Sequence, residues 1–353
     1  MAKWTEIGPL GEGGQGRVSR VRREGMIGPG QTIAKLITGL SGIGESANAR
    51  AGQIVQLETA IRDISNFEHQ EGAKKQLLNS SAESVDRLIL ESRVYETISD
   101  PHLLKILDKD LSEHWIITEF HPNGTLEMRL PLYKGDVMRA LRDLRPLVSV
   151  LAKLHQSSFV HRDFKPGNIF VSRSNELVLG DAGLAFYVGD SPRQTKTYES
   201  VGTQHYMPAW AYARRLDQIR PTFDVFSVGK VIWALIAGEP ACPLWYVLDE
   251  ENNLVNRFPG ERSDLLWVNN LLTQCVVERE KDMKIHDAAQ LLQEIDLVLE
   301  AVSRRAIPPD QVQKYTSCRL CYVGVYEPNN IGVRQSVGRT RKCNRCGHLE
   351  FFD

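Results

Sequence analysis

Two short stretches carry polar side chains at spacings that suit the transfer of a phosphoryl group. They read His161-Arg162-Asp163-Phe164-Lys165-Pro166-Gly167-Asn168 and Asp181-Ala182-Gly183. Such a transfer needs a carboxylate that orients the attacking hydroxyl and accepts its proton, and Asp163 has this chemistry. Lys165 would place a cation near the transferring phosphate. Asn168 and Asp181 would supply the oxygen ligands that Mg²⁺ prefers.

A second phosphate-binding element is predicted near the N-terminus, in Gly11-Glu12-Gly13-Gly14-Gln15-Gly16-Arg17-Val18. Glycine lets the backbone approach phosphates closely and present its N–H groups to them. Glycine-rich turns are also common in β-hairpins, so this signal is weak by itself. It gains weight from Ile33-Ala34-Lys35, a strand-like run whose lysine could reach the α- and β-phosphates of a nucleotide.

The elements that must position these groups follow from the residue pattern. Alternating and glycine-containing residues near the N-terminus predict a twisted antiparallel sheet. Residues 38–84 interrupt it, and Ile54, Leu57, Ile61 and Ile64 within them have the spacing of an amphipathic helix. Ser80 and Glu83 predict the start of a helix that ends before Asp100-Pro101. Strands are predicted again over 103–120, and helices dominate beyond Thr125.

Composition indicates a soluble globular protein. Of 353 residues, 42% are hydrophobic and 25% charged, with a net charge of −1. No secretory signal is evident at the start, and the longest apolar stretch, Val231 to Ala237, is too short for a membrane span and predicts a buried helix. We therefore expect a cytoplasmic protein that contacts no membrane.

The ordered motifs resemble those of the eukaryotic-type (Hanks-type) protein kinase family over roughly residues 4 to 302. The resemblance rests on the glycine-rich loop, the alanine-lysine strand, the His-Arg-Asp loop and the Asp-x-Gly triplet. Gly202-Thr203-Gln204-His205-Tyr206-Met207 and Asp224-Val225-Phe226-Ser227-Val228-Gly229 extend it. It implies an α+β, bilobal fold with a β-rich N-lobe, a helical C-lobe and ATP in the cleft, followed here by a small zinc-ribbon-like domain.

The resemblance also implies domain bounds and roles for individual residues. The kinase domain would span 1–302, with an N-lobe at 1–120, an insertion at 38–84 and a C-lobe at 121–302. Lys35 would pair with Glu91, and Lys165 favours Ser/Thr over Tyr as the acceptor. The implied ATP-binding residues are Leu10, Gly11, Glu12, Gly13, Gly14, Gly16, Val18, Ala34, Lys35, Thr118, Glu119, Phe120, His121 and Phe170. The cofactors would be ATP and Mg²⁺ (or Mn²⁺).

Several residues depart from the family pattern. Ala182 stands where a phenylalanine is usual, and we hypothesise that Tyr95 fills the space that this leaves. Trp210 replaces a glutamate whose arginine partner corresponds to Lys284, so both halves of an ion pair are absent together. Loss of both partners can be nearly neutral, which predicts an altered anchor rather than a broken enzyme. Phosphorylation next to Arg162 is expected to activate the protein, at Thr195, Thr197, Ser200 or Thr203.

A linker at 303–312 separates a cysteine-rich tail at 313–353. Cys318 and Cys321 form one C-x-x-C pair and Cys343 and Cys346 another, with 21 residues between the pairs. Four such thiolates suit a tetrahedral, structural Zn²⁺, and a rubredoxin-type iron centre is the lesser alternative. The tail has an excess of four positive charges from Gln311 onward, yet its few aromatic residues favour protein docking over nucleic-acid binding.

Three functions fit these observations. The first is an ATP-dependent Ser/Thr protein kinase that acts on protein substrates, with a docking partner possible at the tail or at residues 38–84. The second is a nucleotide-binding pseudokinase scaffold, which Ala182 and Trp210 support and the intact ligand set opposes. The third is a small-molecule phosphotransferase, which would not be expected to carry the motifs at Gly202-Thr203 and Asp224–Gly229.

Overall fold

The structure is a computed structural model. It describes residues 3–13, 16–24, 71–78, 81–187, 203–211, 219–242, 244–258, 263–305, 326–328, 339–343 and 349–352. The helices are α1 (Ala82–Thr97), α2 (Val137–Gln156), α3 (Thr222–Ala237), α4 (Leu254–Arg257), α5 (Ser263–Cys275) and α6 (Ala288–Arg305). Short 3-10 turns span Leu126–Tyr133, Pro166–Asn168, Ala182–Leu184, Thr203–Tyr206, Ala209–Ala211 and Glu280–Asp282.

The strands divide among four sheets. A five-stranded sheet has the order β1-β2-β3-β5-β4, the pairs β6-β9 and β7-β8 form two small sheets, and β10-β11-β12 form the fourth. Their bounds are β1 (Trp4–Gly13), β2 (Gly16–Arg23), β3 (Glu71–Leu77), β4 (Ile106–Asp110), β5 (Trp115–Glu119), β6 (Phe159–Val160), β7 (Ile169–Val171), β8 (Leu177–Leu179), β9 (Phe186–Tyr187), β10 (Tyr326–Pro328), β11 (Arg339–Cys343) and β12 (Leu349–Phe352).

The chain forms two compact units. The first contains residues 1–99 and 104–122, and the second contains 100–103 and 123–353. Every neighbouring strand pair in the five-stranded sheet of the first unit is antiparallel. Gly16 lies where β2 approaches β3 most closely, since a Cβ there would be 2.6 Å from the Gln76 carbonyl oxygen. A sheet-rich first unit and a helical second unit confirm the predicted order of the two parts.

Strand β3 corrects the predicted insertion. Residues 71–84 were placed inside a 38–84 insertion, but Glu71–Leu77 is the central strand of the sheet. The polar residues of this segment are not typical of a central strand, so the sequence pattern did not predict one. In the structure Glu71 accepts hydrogen bonds from Arg20 at 2.6 Å and from Arg22 at 2.9 Å. An insertion that starts at residue 38 would therefore end before Glu71, the first residue of β3. The predicted helix at 54–64 lies outside the described residues.

Helix α1 begins one residue later than the predicted capping box implies. Ser81, rather than Ser80, is its N-cap, and the Ser81 hydroxyl accepts a hydrogen bond from the backbone N–H of Ser84 at 3.3 Å. The helix packs on the sheet of the first unit. Lys109 of β4 fixes it there by donating to Ser92 Oγ at 3.1 Å and to Glu96 Oε2 at 2.7 Å.

The core of the second unit is built from helices. Helix α2 places its apolar stripe against α3 and α6, and all sixteen residues of α3 are buried. This confirms the buried helix predicted from Val231 to Ala237. Cys242 and Cys275 are both buried, as expected for structural thiols. Within the described part of the chain, every helix is too short or too polar to span a bilayer.

The cysteine-rich tail contributes a three-stranded antiparallel sheet. Tyr326 of β10 pairs with Cys343 of β11, and Arg339 of β11 pairs with Phe352 of β12. Only the backbone of Cys343 is described, and Cys318, Cys321 and Cys346 lie outside the described residues. Elsewhere in the described chain, no three His, Cys, Asp or Glu side chains cluster as metal ligands. The zinc site therefore stays a prediction.

Candidate active site

The two polar stretches identified in the sequence meet at the end of a β-hairpin. Strand β7 starts directly after Asn168, and β8 ends two residues before Asp181, with Ile169 paired to Leu179. The Gly180 N–H donates to the Asn168 carbonyl oxygen at 2.9 Å. The hairpin thus fixes Asn168 and Asp181 close together. Asp181 has φ 51°, a left-handed conformation that is uncommon for a residue with a side chain.

Asp163 is held by one carboxylate oxygen. Its Oδ2 accepts hydrogen bonds from Lys165 Nζ at 2.9 Å and from Asn168 Nδ2 at 2.7 Å. Asn168 Nδ2 also donates to the Asp163 carbonyl oxygen at 2.9 Å, so both of its N–H groups are used. The amide oxygen of Asn168 is therefore the end that remains for a cation. Oδ1 of Asp163 has no hydrogen-bond partner among the described residues.

The surroundings of Asp163 favour uptake of a proton by its carboxylate. Burial raises the pKa of Asp163 above its ordinary value, the positive charge of Lys165 lowers it, and the negative charge of Asp181 raises it again. The net direction is upward. A raised pKa makes a carboxylate a better proton acceptor, and such shifts cluster at functional sites. With Oδ2 engaged, Oδ1 is the carboxylate oxygen that is left for a proton.

Asp224, in the first turn of α3, holds the backbone of the catalytic loop. It is fully buried, and its two oxygens accept hydrogen bonds from the backbone N–H groups of His161 and Arg162, each at 2.8 Å. Arg162 has φ 68°, and strain of this kind costs about 1–3 kcal/mol when nothing offsets it. The two hydrogen bonds offset that strain. The sequence flagged Asp224 only as part of a motif and gave it no role.

His155, at the end of α2, completes the support of Asp224. Its Nδ1 accepts a hydrogen bond from the Ala288 N–H at 3.1 Å, so its proton lies on Nε2, which donates to Asp224 Oδ2 at 2.9 Å. Burial alone would raise the pKa of Asp224, but the His155 hydrogen bond, the neighbouring imidazoles and the Arg162 N–H hold the pKa below its ordinary value. Asp224 therefore stays ionised. No sequence signal pointed to His155.

In the first unit, the lysine that pairs with Glu91 is Lys75. Its Nζ lies 2.7 Å from Glu91 Oε2, and the Glu91 side chain is 5% exposed. The predicted partner, Lys35, lies outside the described residues, and the role assigned to it is corrected to Lys75. The signal was present in the sequence, because Ala73-Lys74-Lys75 fits the Ala-x-Lys pattern literally, whereas Ala34 and Lys35 are adjacent.

Most of the other predicted nucleotide-binding residues that the structure describes fall on the same sheet. Leu10, Gly11, Glu12 and Gly13 lie on β1 and Gly16 and Val18 on β2, with Gly14 outside the described residues. Val18 is the register partner of Lys75, and Ala73 is the partner of Thr118 on β5. Ala73 thus takes the place assigned to Ala34. Glu119 ends β5, Phe120 and His121 follow it, and Phe170 lies on β7 in the second unit.

Tyr95 belongs to the first unit and Ala182 to the second. Tyr95 is 6% exposed, and its hydroxyl donates to Glu91 Oε1 at 3.3 Å, so it faces the interior rather than solvent. Ala182 is fully buried at the start of a 3-10 turn. The hypothesis that Tyr95 compensates for the small side chain of Ala182 stays a prediction. The hydrogen bond to Glu91 gives Tyr95 a second role that the sequence did not indicate.

Trp210 forms an aromatic anchor in place of the ion pair. Its ring packs edge-on against Phe223, with ring centroids 6.5 Å apart and planes at 84°. It lies against a buried cluster that contains Val160, Met207, Ala211, Ile219 and Phe223. Lys284, the counterpart of the expected arginine, is exposed. An apolar contact thus holds this segment beside Val160, the residue that precedes the catalytic loop.

The predicted phosphorylation sites cannot be placed. Thr195, Thr197 and Ser200 lie outside the described residues. The backbone of Thr203 begins a 3-10 turn, but its side chain is not among those described. Activation by phosphorylation near Arg162 stays a prediction.

Comparison of the sequence with models of known protein families identifies the family of this chain. The family model of the protein kinase domain matches residues 59–298, about two thirds of the chain. This chain belongs to the protein kinase family. The matched region includes β3 with Lys75 and begins after Lys35. As a protein kinase, it is an enzyme of the transferase class.

Curated relatives match parts of this kinase. Serine/threonine-protein kinase PkaA of Streptomyces coelicolor is 25% identical over 318 residues, which cover 84% of this chain and 50% of that protein. Serine/threonine-protein kinase PknB of Mycobacterium leprae is 38% identical over 87 residues, covering 24% of this chain and 14% of that protein. U-box domain-containing protein 52 of Arabidopsis thaliana is 30% identical over 197 residues, covering 52% and 23%. The chain spans half or less of each relative's length.

Proposed function

We propose that this kinase transfers the γ-phosphate of ATP to serine or threonine hydroxyls of proteins. The observation that carries the proposal is the state of Asp163, which is buried, fixed through Oδ2 and unengaged at Oδ1. That oxygen would accept the proton of the attacking hydroxyl as the oxygen–phosphorus bond forms. Lys165, two residues later, supports Ser/Thr rather than Tyr, as do the names of the bacterial relatives.

The remaining groups have roles that suit their surroundings. Lys165 would stabilise charge on the transferring phosphoryl group. Asn168 and Asp181 offer oxygen ligands of the kind that Mg²⁺ (or Mn²⁺) prefers, and such an ion would neutralise phosphate charge. Lys75, oriented by Glu91, would contact the α- and β-phosphates. Its ammonium is held by a buried carboxylate at 2.7 Å, which limits its rotamers.

Adenine recognition is proposed for the end of β5 and the residues that follow it. Thr118 would act as the gatekeeper, and the backbone of Glu119 to His121 would hydrogen-bond the base. Val18 and Ala73 lie on neighbouring strands of the same sheet and would cover one face of the base. Among the described residues beyond its two chain neighbours, none comes within 4 Å of the place that a Cβ of Gly11 would take, and this space would admit the phosphates.

The tail is proposed to be a zinc ribbon that folds around one structural Zn²⁺. Its two C-x-x-C pairs support this, as does the three-stranded antiparallel sheet, of which β10 and β11 lie between the pairs up to Cys343 and β12 follows Cys346. The tail would serve as a docking module for a protein partner. A cytoplasmic location agrees with thiols that stay reduced for metal binding.

The test is phosphorylation of a generic protein substrate with labelled ATP and Mg²⁺, followed by phosphoamino-acid analysis. We expect label on phosphoserine or phosphothreonine. Label on phosphotyrosine alone would refute the acceptor class. Nucleotide binding without transfer would favour the pseudokinase scaffold that Ala182 and Trp210 support, and transfer only to small molecules would favour the third function.

A further inference from the structure

Lys230 is a fully buried lysine whose contacts are not explained by phosphoryl transfer. It lies in the middle of α3, and its Nζ donates to the carbonyl oxygens of Cys242 and, at 2.7 Å, Leu244. Cys242 Sγ lies 3.4 Å from the same nitrogen. Three acceptors match the three N–H bonds of an ammonium group. Burial lowers the pKa of Lys230, while the neighbouring sulfur raises it.

These hydrogen bonds tie α3 to the loop that follows it. Leu244 has φ 48°, a strained conformation for a leucine, and its carbonyl oxygen is one of the two that Lys230 holds. A buried lysine is costly unless its hydrogen bonds are all made. An apolar side chain at this position of α3 would avoid that cost. We therefore looked for the role of Lys230 in the contacts made by the residues that it binds after the helix.

The loop in turn holds the segment that begins at Thr203. His205 Nδ1 donates to the Ala241 carbonyl oxygen at 2.9 Å, and the Ala241 N–H donates to the Tyr206 hydroxyl oxygen at 3.2 Å. Both polar groups of the Ala241 peptide are therefore bound to consecutive residues of one turn. Ala241 is itself 3% exposed, so water does not compete well for these bonds.

The same segment lies beside the catalytic loop. Met207 and Ala211 pack in one buried cluster with Val160, which directly precedes His161. Helix α3 also carries Asp224, which fixes the backbone of His161 and Arg162. Six residues separate Asp224 from Lys230, or about 9 Å along the helix. One rigid helix therefore holds the catalytic loop at one point and the 203–207 segment at another.

We propose that Lys230 is a positioning residue for the protein substrate: through its hydrogen bonds to Cys242 and Leu244, and through the bonds of Ala241 to the turn at Thr203–Tyr206, it sets the position of the Thr203–Met207 segment relative to Asp163. The inference rests on the proposed kinase function. Because this segment packs against Val160, directly before the catalytic loop, a polypeptide that brings a hydroxyl to Asp163 would pass beside it, whereas most of the residues proposed to bind ATP lie on β1, β2, β3 and β5. Loss of the Lys230 hydrogen bonds should therefore weaken binding of the protein substrate and leave the affinity for ATP unchanged.

The first test compares steady-state kinetics of wild type and Lys230→Met with a peptide substrate and with ATP. Methionine fills a similar volume but cannot donate, so we expect KM for the peptide to rise about tenfold, the factor that about 1.4 kcal/mol represents, with KM for ATP unchanged. Ser227→Ala is the matched control, because the Ser227 hydroxyl is buried in the same helix but bonds only to Phe223 O within it. It should leave both KM values unchanged.

A second pair of variants tests the contact between His205 and Ala241 directly, and it serves if Lys230→Met folds poorly. His205→Gln keeps an N–H that can donate to Ala241 O, whereas His205→Leu does not. We expect His205→Leu to raise KM for the peptide and His205→Gln to restore it. The Lys230→Met/His205→Leu double variant should be no worse than the worse single variant, because both cut one chain of contacts.

The outcomes separate the two proposals. An inactive wild type would refute the kinase function. An active wild type whose KM for the peptide is the same in Lys230→Met and His205→Leu would overturn the positioning role. Equal rises in both KM values, or additive effects of the two substitutions, would also overturn it, since they would show a general structural role.

Discussion

Replacing Lys75 by methionine tests the assignment that the structure corrected. Lys75 Nζ lies 2.7 Å from Glu91 Oε2, in a pair whose carboxylate side chain is 5% exposed and whose lysine side chain is 22% exposed. Methionine keeps the aliphatic stem and removes the charge. Glu91 then keeps a buried negative charge near Tyr95, whose hydroxyl donates across 3.3 Å.

The expected magnitude follows from that burial. Removing one partner of a buried ion pair costs about 3–5 kcal/mol, because the other charge stays in a poorly solvated place. Lys75 is partly exposed, so water screens the pair and the cost falls below this range, to about 2–3 kcal/mol. At about 2–4 °C per kcal/mol for a domain of this size, Tm should fall by roughly 5–10 °C. Activity should fall about 10²–10³-fold, the usual effect of losing one fixed electrostatic group.

The assay combines thermal unfolding with kcat/KM, and two variants serve as controls. Lys35→Met should change both quantities little. Lys75→Met/Glu91→Leu should recover most of the lost stability, because no buried charge is left, but none of the activity. Loss of activity in Lys35→Met together with normal activity in Lys75→Met would refute the reasoning.

Three further predictions concern other parts of the chain. Asp224→Asn should lower stability by about 2–4 kcal/mol through lost hydrogen bonds to a charged group. Because the pKa of Asp224 is lowered on folding, this difference should be constant above about pH 5 and shrink below about pH 4 in denaturant titrations, and a difference independent of pH would contradict it. Trp210→Ala should lower Tm and activity more than Trp210→Phe, which keeps the edge contact with Phe223; equal losses would show that this contact is unimportant. Chelation should release one Zn²⁺ per chain and unfold the tail while ATP binding persists, as followed by metal analysis and nucleotide titration; a chain without zinc, or loss of ATP binding, would contradict this.

The catalytic loop could be predicted because its residues act at fixed short spacings. Asp163, Lys165 and Asn168 lie within six residues of one another, so a hydrogen-bonded cluster follows almost from the chain itself. Asp181 comes from a second stretch, and the β7–β8 hairpin that joins the two was not predicted, since helices were expected beyond Thr125. The buried helix α3 did follow from the apolar stretch Val231 to Ala237.

The Lys75 pairing could not be predicted from local pattern in the same way. Strand β3 carries Glu71, Lys74 and Lys75, which looks unlike a central strand until their partners on other elements are known. Arg20 and Arg22 satisfy Glu71, and the Trp115 ring lies 4.9 Å from Lys74 Nζ. Lys35 follows two apolar residues and gave the stronger local signal, but tertiary pairing decides the strand.

The supports of the catalytic loop were missed for a related reason. His155 and Asp224 are 69 residues apart, and the hydrogen bond between them joins two helices. Lys230 stands in an apolar run of the sequence. Its charge is explained only by its hydrogen bonds to Cys242 and Leu244, which come later in the chain. Such residues are recognised by burial and hydrogen bonding, which no spacing along the chain encodes.

The most direct measurement of the central proposal compares phosphate transfer and ATP affinity in wild type and Asp163→Asn. Asparagine keeps the shape of the side chain but cannot accept the hydroxyl proton. We predict that phosphate incorporation into protein falls at least 10²-fold while the Kd for ATP with Mg²⁺ changes little. Equal incorporation by the two proteins would contradict the role of Asp163, and tight ATP binding without incorporation in wild type would contradict the kinase function itself.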